Sequence, residues 1–293
     1  MKQNIKVQDL SPLRYPGSKK YLVPYLVEII KYNNLCPDVL IEPFVGGGNI
    51  SMHFLIHNIV KSVIISDKDK LIYSFWKVLF TNPNYLVDFI NKTEINLENF
   101  YKYKKIAKSN RRHKIEVLAE ACIFLNRTSF SGLLTDRVGP LGGKSQTSKY
   151  KIDCRFNRKN LVEKIRKLTE FSENVTVLNH DWQDTIDYVT KLINVENKIE
   201  KPLFYIDPPF YKKADELYRF YFEQDEHESL CASILNLNYS WVLSYDNADE
   251  IIKMYKEQKC ENINIEMPYS VNSNATRFEK ELIITPLSLP KFD

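Results

Sequence analysis

VLIEPFVGGGNISMHFLIHNI, residues 39–59, is the stretch that decides the fold. An apolar, strand-like run gives way to three adjacent glycines, Gly46, Gly47 and Gly48, and then to a helical pattern. Glycine is scarce, 8 in 293 residues, against about 7 per cent in an average protein, so it stands where the backbone needs it. Strand, glycine turn and helix together let backbone amides and a helix N-terminus approach a ligand closely. VIISD, residues 63–67, reads as a second short strand, and its Asp67 falls 19 positions past Gly48. That is near the offset of about 20 residues at which an acidic side chain holds a pair of ribose hydroxyls.

LFYIDPPF, residues 203–210, is the second anchor. Here an apolar strand stops at a carboxylate, two prolines and a ring. Two consecutive prolines neither continue a sheet ladder nor enter a helix interior, so the chain turns at the sheet's edge. Asp207 and Phe210 are then expected on a rigid corner at a strand's carboxyl end, where open α/β sheets place ligands. An acceptor and an aromatic face suit a flat polar ring. The competing reading is a plain turn; it leaves the shared chain with VGGG unexplained.

The other strands expected are 175–178, 203–206, 241–244, a run near Ile265 and 281–286. Residues 19–33 read as a helix kinked at Pro24, and 49–59 as another. Residues 71–124 read as helical around WKVLF and VLAEACIFL. Residues 126–157, rich in Gly, Ser, Thr and basic side chains, read as a surface loop or β-hairpin. Strands alternating with helices imply an α/β fold whose mainly parallel sheet is covered on both faces. At 293 residues the chain is long for one core, and the expected division is 1–70 with 168–293 as one unit and 71–167 as an inserted one.

Composition is that of a globular protein, 44% hydrophobic and 27% charged. No apolar run has the length of a transmembrane helix, the N-terminus lacks a signal peptide's apolar core, and the five cysteines are scattered without a CxxC. A cytoplasmic protein with reduced thiols is expected. His53 and His57 lie one helical turn apart without a third ligand in view, so no metal is expected. The net charge of +4 hides a segregation. Residues 102–114 carry +7 and residues 126–167 carry eleven basic and three acidic side chains, +8, which leaves −11 elsewhere. Such segregation marks a polyanion-binding region, with a solvated lysine-rich helix face as the bland alternative for the first cluster.

Taken together, these stretches resemble the DNA N6-adenine methyltransferases of the Dam type, the D12 class. RYPGSKK (14–20) resembles the family's N-terminal motif, IEPFVGGGN (41–49) its glycine loop, and IISDKD (64–69) its acidic strand end. FLNRTSFSGL (124–133) is similar to the start of its DNA-contacting hairpin and YIDPPF (205–210) to its catalytic tetrapeptide, while SYDN (244–247) and RFEKELII (277–284) echo its C-terminal pattern. The order is the family's. Phe210 stands where the family more often has Tyr, and Ser18 where a second glycine is commoner. Stacking survives the loss of a phenol hydroxyl.

The resemblance implies a Rossmann-like, S-adenosylmethionine-dependent methyltransferase sheet of seven strands, the last antiparallel, with an inserted helical DNA-recognition domain bearing a hairpin or loop. It implies a monomer that methylates N6 of adenine in a specific double-stranded DNA sequence, releasing S-adenosylhomocysteine, within restriction–modification. Asp207 would accept one hydrogen bond from the amino group and the Pro208 carbonyl the other, turning the nitrogen lone pair towards the methyl. At an ordinary pKa of about 3.9, Asp207 is too weak to deprotonate a neutral amine, so it orients and stabilises charge. Pro209 stiffens the corner, and Phe210 stacks on a base drawn out of the duplex. For the cofactor, the resemblance implies Tyr15, Lys19, Glu42, Pro43, Phe44, Gly46, Gly47, Gly48, Asn49, Asp67, Asp181 and Trp182. Glu42 reads equally as a structural acid, and Asp181 as a helix cap. For DNA it implies Lys104, Lys105, Arg111, Arg112, Asn126, Arg127, Ser129, Arg137, Lys144 and Lys149.

Three other readings compete. A nicotinamide oxidoreductase fits Gly46-x-Gly48-x-x-Ser51 but not the double proline or the basic segments. A methyltransferase of RNA or protein amide nitrogen is closer, although such enzymes commonly carry Asn in place of Asp207. A non-enzymatic nucleic-acid-binding protein predicts no cofactor binding.

Overall fold

The computed structural model describes residues 7–14, 19–212, 217–256, 260–269 and 277–292. Its centre is one seven-stranded sheet: β1 (Val39–Glu42), β2 (Ser62–Ser66), β3 (Val175–Leu178), β4 (Pro202–Ile206), β5 (Ser240–Asp246), β6 (Glu261–Tyr269) and β7 (Arg277–Thr285). The spatial order is β3-β2-β1-β4-β5-β7-β6. β1 to β5 pair in parallel, and β7 runs antiparallel to both neighbours, β5 and β6. Chain order reverses between β1 and β4, and ligands of open α/β sheets bind outside such a switch point.

Why these strands are interior follows from their period of two. Leu40, Val63, Ile65, Leu203, Tyr205, Val242 and Ile283 enter one hydrophobic cluster. Val39, Ile41, Ile64, Phe204, Ile206, Leu243 and Ile284 enter the other. Both faces are therefore buried, as near-continuous apolar strands require. The second face is covered by α8 (Trp182–Asn194), α9 (Gln224–Leu235) and α10 (Asp249–Lys256).

The first face carries α1 (Val23–Tyr32), α2 (Asn49–Ile56) and α3 (Lys70–Thr81), and its core continues into α4 (Pro83–Lys92), α5 (Leu97–Lys108), α6 (Ile115–Thr128) and α7 (Arg158–Thr169). Residues 71–167 thus share a core with the sheet. Asp69 caps α3 by accepting from the Leu71 amide at 2.9 Å, and Asn96 caps α5 through Asn99. All five cysteines are free thiols. Among the described residues, no helix is long and apolar enough to cross a membrane.

Several boundaries differ from the sequence reading. Residues 19–22 form a 3-10 turn, and Pro24 sits in the first turn of α1 instead of kinking a longer helix. A first-turn residue needs no intrahelical N–H, so proline starts the helix there. α2 stops at Ile56. α6 runs on to Thr128, beyond the expected end at Phe124. The segment after it forms a loop pinched at its base, where Ser129 bridges Pro140 and the Phe130 amide donates to Gly139 at 3.1 Å.

Candidate active site

β1 and β4 end side by side, and each ends in one of the two anchor motifs. After β1 the chain passes through the glycine triplet, with Gly46 and Gly48 at positive φ (42° and 62°). Gly48 is the N-cap of α2, and a Cβ there would lie 2.7 Å from the Trp76 ring. Only glycine fits. Trp76, on α3, donates its indole N–H to the Gly46 carbonyl at 3.0 Å and supports the turn from below. Asp67, just past β2, accepts from the Gly46 amide at 3.0 Å and from the Asp69 amide at 2.8 Å. The acidic strand end is therefore tied to the glycine turn.

One cavity of about 1030 Å³, its open mouth included, joins these elements to the double-proline corner. Glu42, Pro43, Phe44, Gly47, Gly48, Asn49 and Asp67 line it from the β1–β2 side, Asp181 and Trp182 from the start of α8, and Lys19, Asp207, Pro208 and Pro209 from the other. Asp181 does cap α8, accepting from the Asp184 amide at 2.9 Å, while still lining the cavity. Phe210 is not a lining residue. Its ring meets Tyr218 edge-on at 5.7 Å, and the Lys19 ammonium stands 4.9 Å from its centroid. Tyr15 lies outside the described residues.

Electrostatics concentrate on Asp207. Its Oδ1 pairs with Lys19 Nζ at 3.2 Å and accepts from Ser244 Oγ at 2.9 Å, and Ser244 Oγ in turn lies 2.8 Å from the Tyr205 hydroxyl. Lys19 also pairs with Glu281 on β7 at 2.7 Å. Burial works against the Lys19 charge, but Asp207 and Glu281 outweigh it and hold its pKa above an ordinary lysine's. Burial lifts Asp207 above the usual carboxylate range, opposed by Lys19 and Ser244. This corrects the expectation of an ordinary pKa at Asp207. Burial raises Glu42 to about 8, and Ser51, which donates to it, pulls the other way. Asp67 is pushed up to about 7 by burial and by neighbouring Asp69.

One wall was not legible in the motifs. Tyr218, Phe220, Tyr221 and Phe222 line the cavity, and Phe222 packs edge-on against Phe44 at 5.8 Å. Arg219 anchors this aromatic run, donating to Asp69 at 2.8 Å and to the Ala107 carbonyl at 3.0 Å. The signal was present as YRFYF, an unusually dense run of rings eight residues past Phe210.

The residues expected at DNA fall into three groups. Lys105, Arg111, Arg112, Arg137, Lys144 and Lys149 are exposed. Lys104 is half-buried and donates to the Val138 carbonyl, which joins α5 to the pinched loop. Asn126, Arg127 and Ser129 are instead interior. Asn126 accepts from the Arg14 amide at 2.7 Å and donates to the carbonyls of Arg14 (2.7 Å) and Gly132 (2.8 Å). Arg127 donates to the Pro12 carbonyl, and burial lowers its pKa to about 10. The Asn126 and Arg127 side chains bond to the protein's own backbone and brace the N-terminal segment against the loop. His53 bonds to the Gln8 carbonyl at 2.8 Å and stacks on His57.

The sequence model of the D12 class N6 adenine-specific DNA methyltransferases matches residues 15–267. The chain belongs to this family. It is also similar to the type II methyltransferase M.MjaIII of Methanocaldococcus jannaschii, with 28% identity over 213 residues that cover 68% of each chain. The enzyme is thus an adenine-specific DNA methyltransferase, and its sheet order and antiparallel β7 belong to a Rossmann-like methyltransferase fold. Family membership sets aside the oxidoreductase reading of the glycine turn.

Proposed function

We propose that this methyltransferase carries the methyl group of S-adenosylmethionine to N6 of an adenine drawn out of duplex DNA, with residues 71–167 as the recognition unit. The observation that supports this most is the single cavity shared by the triple-glycine turn and the Asp207 corner. Its lining fits the cofactor. Glu42, Asp67 and Asp181 offer acceptors to a cationic, hydroxyl-bearing molecule, and Phe44, Ile50 and Trp182 offer apolar faces to a purine. When bound, the cofactor supplies an electrophilic methyl on a sulfonium, whose sulfur keeps the bonding pair as the methyl leaves.

The chain's own residues do the rest. Gly47 and Gly48 admit a ligand close to the backbone, and Asp67 presents its carboxylate from the β2 end. Lys19 and Ser244 occupy Asp207 Oδ1, so Oδ2, which has no protein partner among the described residues, is the oxygen offered to the amino group. The Pro208 carbonyl takes the second amino hydrogen. The nitrogen lone pair then faces the methyl, and alignment supplies much of the acceleration. As the new N–C bond places positive charge on N6, its proton passes to Asp207, whose raised pKa suits it to accept. Exposed basic groups of α5 and the pinched loop contact phosphates, which fix register without reading sequence.

The test is transfer of radiolabelled methyl from S-adenosylmethionine. Label is expected as N6-methyladenine in duplex DNA, and Asp207→Ala should abolish it while DNA affinity changes little. Label confined to RNA or protein, or tight DNA binding without transfer, would overturn the proposal.

A further inference from the structure

Pro208 and Pro209 have no N–H, so the corner that carries Asp207 cannot be tied through its own first two amides. Beyond Phe210, two successive donors go to one place. The Tyr211 amide donates to Asp246 Oδ1 at 2.7 Å and the Lys212 amide to Asp246 Oδ2 at 3.1 Å. Asp246 is the last residue of β5, two positions after Ser244, whose hydroxyl holds Asp207 Oδ1. Residues 244 and 246 of a strand point to the same face, so one strand end grips the corner before and after the prolines.

The grip is rigid at its own root. Leu243 to Asp246 are paired with β7, Asp246 standing opposite Glu281. Between the two gripping residues, the Tyr245 hydroxyl bonds to His227 Nδ1 at 2.7 Å, and the His227 ring packs on Tyr211 at 5.0 Å. Asp246 is also a like charge to Asp207 and Glu281, and that repulsion is a cost. A serine or asparagine could cap a simple turn without it. Two charge-assisted bonds to successive amides offset the repulsion and use both oxygens, which a neutral side chain cannot do.

We infer that Asp246 is a positioning residue for methyl transfer: its carboxylate fixes the backbone after Phe210 and so sets where Asp207 and the Pro208 carbonyl meet the target amine. This rests on the assignment of Asp207 to the target base. A displacement of about 1 Å at a reacting centre costs on the order of a hundredfold in rate. A turn cap of purely structural value would show itself in stability and leave the chemical step alone.

Single-turnover methyl transfer, run with enzyme in excess over duplex DNA and with saturating S-adenosylmethionine, separates the two. Asp246→Asn keeps the shape and one acceptor oxygen, and Asp246→Ala keeps neither. The rate constant is expected to fall about tenfold in the first and about a hundredfold in the second. Dissociation constants for S-adenosylhomocysteine and for duplex DNA should stay within about twofold of wild type, the signature of a transition-state interaction. A wild-type rate constant in Asp246→Asn, or losses matched by weaker binding of either ligand, overturns the inference. Asp207→Ala is the parallel control. If it stays active, the assignment of the corner fails; if it is inactive while both Asp246 variants keep the full rate, the positioning role alone fails.

Discussion

Glu42, Asp67, Asp207 and Glu281 are acids held in one neighbourhood, with Lys19 as the buried cation that pairs with two of them. Burial lifts Glu42 from 4.5 to about 8. Between those values the folded protein holds a proton that the unfolded chain has released. The resulting stability is complete below pH 4.5 and disappears as pH rises through about 8. Glu42→Gln removes that titration. Between about pH 6 and about pH 8.5, the unliganded wild type should therefore lose more stability than the variant, by on the order of 1–3 kcal/mol, as read by thermal unfolding. Equal losses would mean that Glu42 is already ionised in the folded protein. At this scale the sequence was partly legible. The double proline marks Asp207 because proline chemistry is local, and the glycine triplet marks the turn for the same reason. The pairing of Lys19 with Glu281, and the burial of Asn126 and Arg127, depend on segments far away in the chain. An asparagine on an apolar helix looks the same whether it faces solvent or clamps Arg14.

Among the elements, α5 and the six residues that follow it carry the first basic cluster, and the alternatives were a polyanion contact or a solvated face. Arg111 and Arg112 are exposed just past the end of α5. The Arg111→Ala, Arg112→Ala double variant should weaken DNA binding to a similar degree on all sequences. The slope of log affinity against log salt should become shallower by about 0.9 for each phosphate that the protein no longer neutralises. An unchanged slope would return this stretch to the solvated reading. Strand positions were legible to within a few residues because both sheet faces demand apolar side chains. The end of α6 was not, since its last turn is polar and is held by the N-terminal segment. YRFYF carries no motif, and its place at the cavity depends on the long-range tie from Arg219 to Asp69.

For the whole molecule, the sheet and the helices of residues 71–167 share a hydrophobic core that runs from Leu10 to Ile283. A common core implies a common unfolding transition. S-Adenosylhomocysteine at about 100 times its Kd should stabilise the protein by about 2.7 kcal/mol. In calorimetry this should move one endotherm upward as a unit. Two endotherms, with only one responding, would show that the inserted segment melts independently. Charge is segregated along the chain, +15 in the two basic segments against −11 elsewhere. Where such segments share a surface of the fold, they orient approach to a polyanion before the two surfaces touch.

The adjacency of β1 and β4 also has a temporal side. Val39 pairs with Pro202, Leu40 with Leu203 and Ile41 with Phe204, so most of the polypeptide must leave the ribosome before the glycine turn and the double-proline corner can meet. The positively charged segments emerge earlier than the double-proline corner. A chain still in synthesis could therefore attract nucleic acid while chemically silent, and competence arrives only when the fourth strand slots in beside the first.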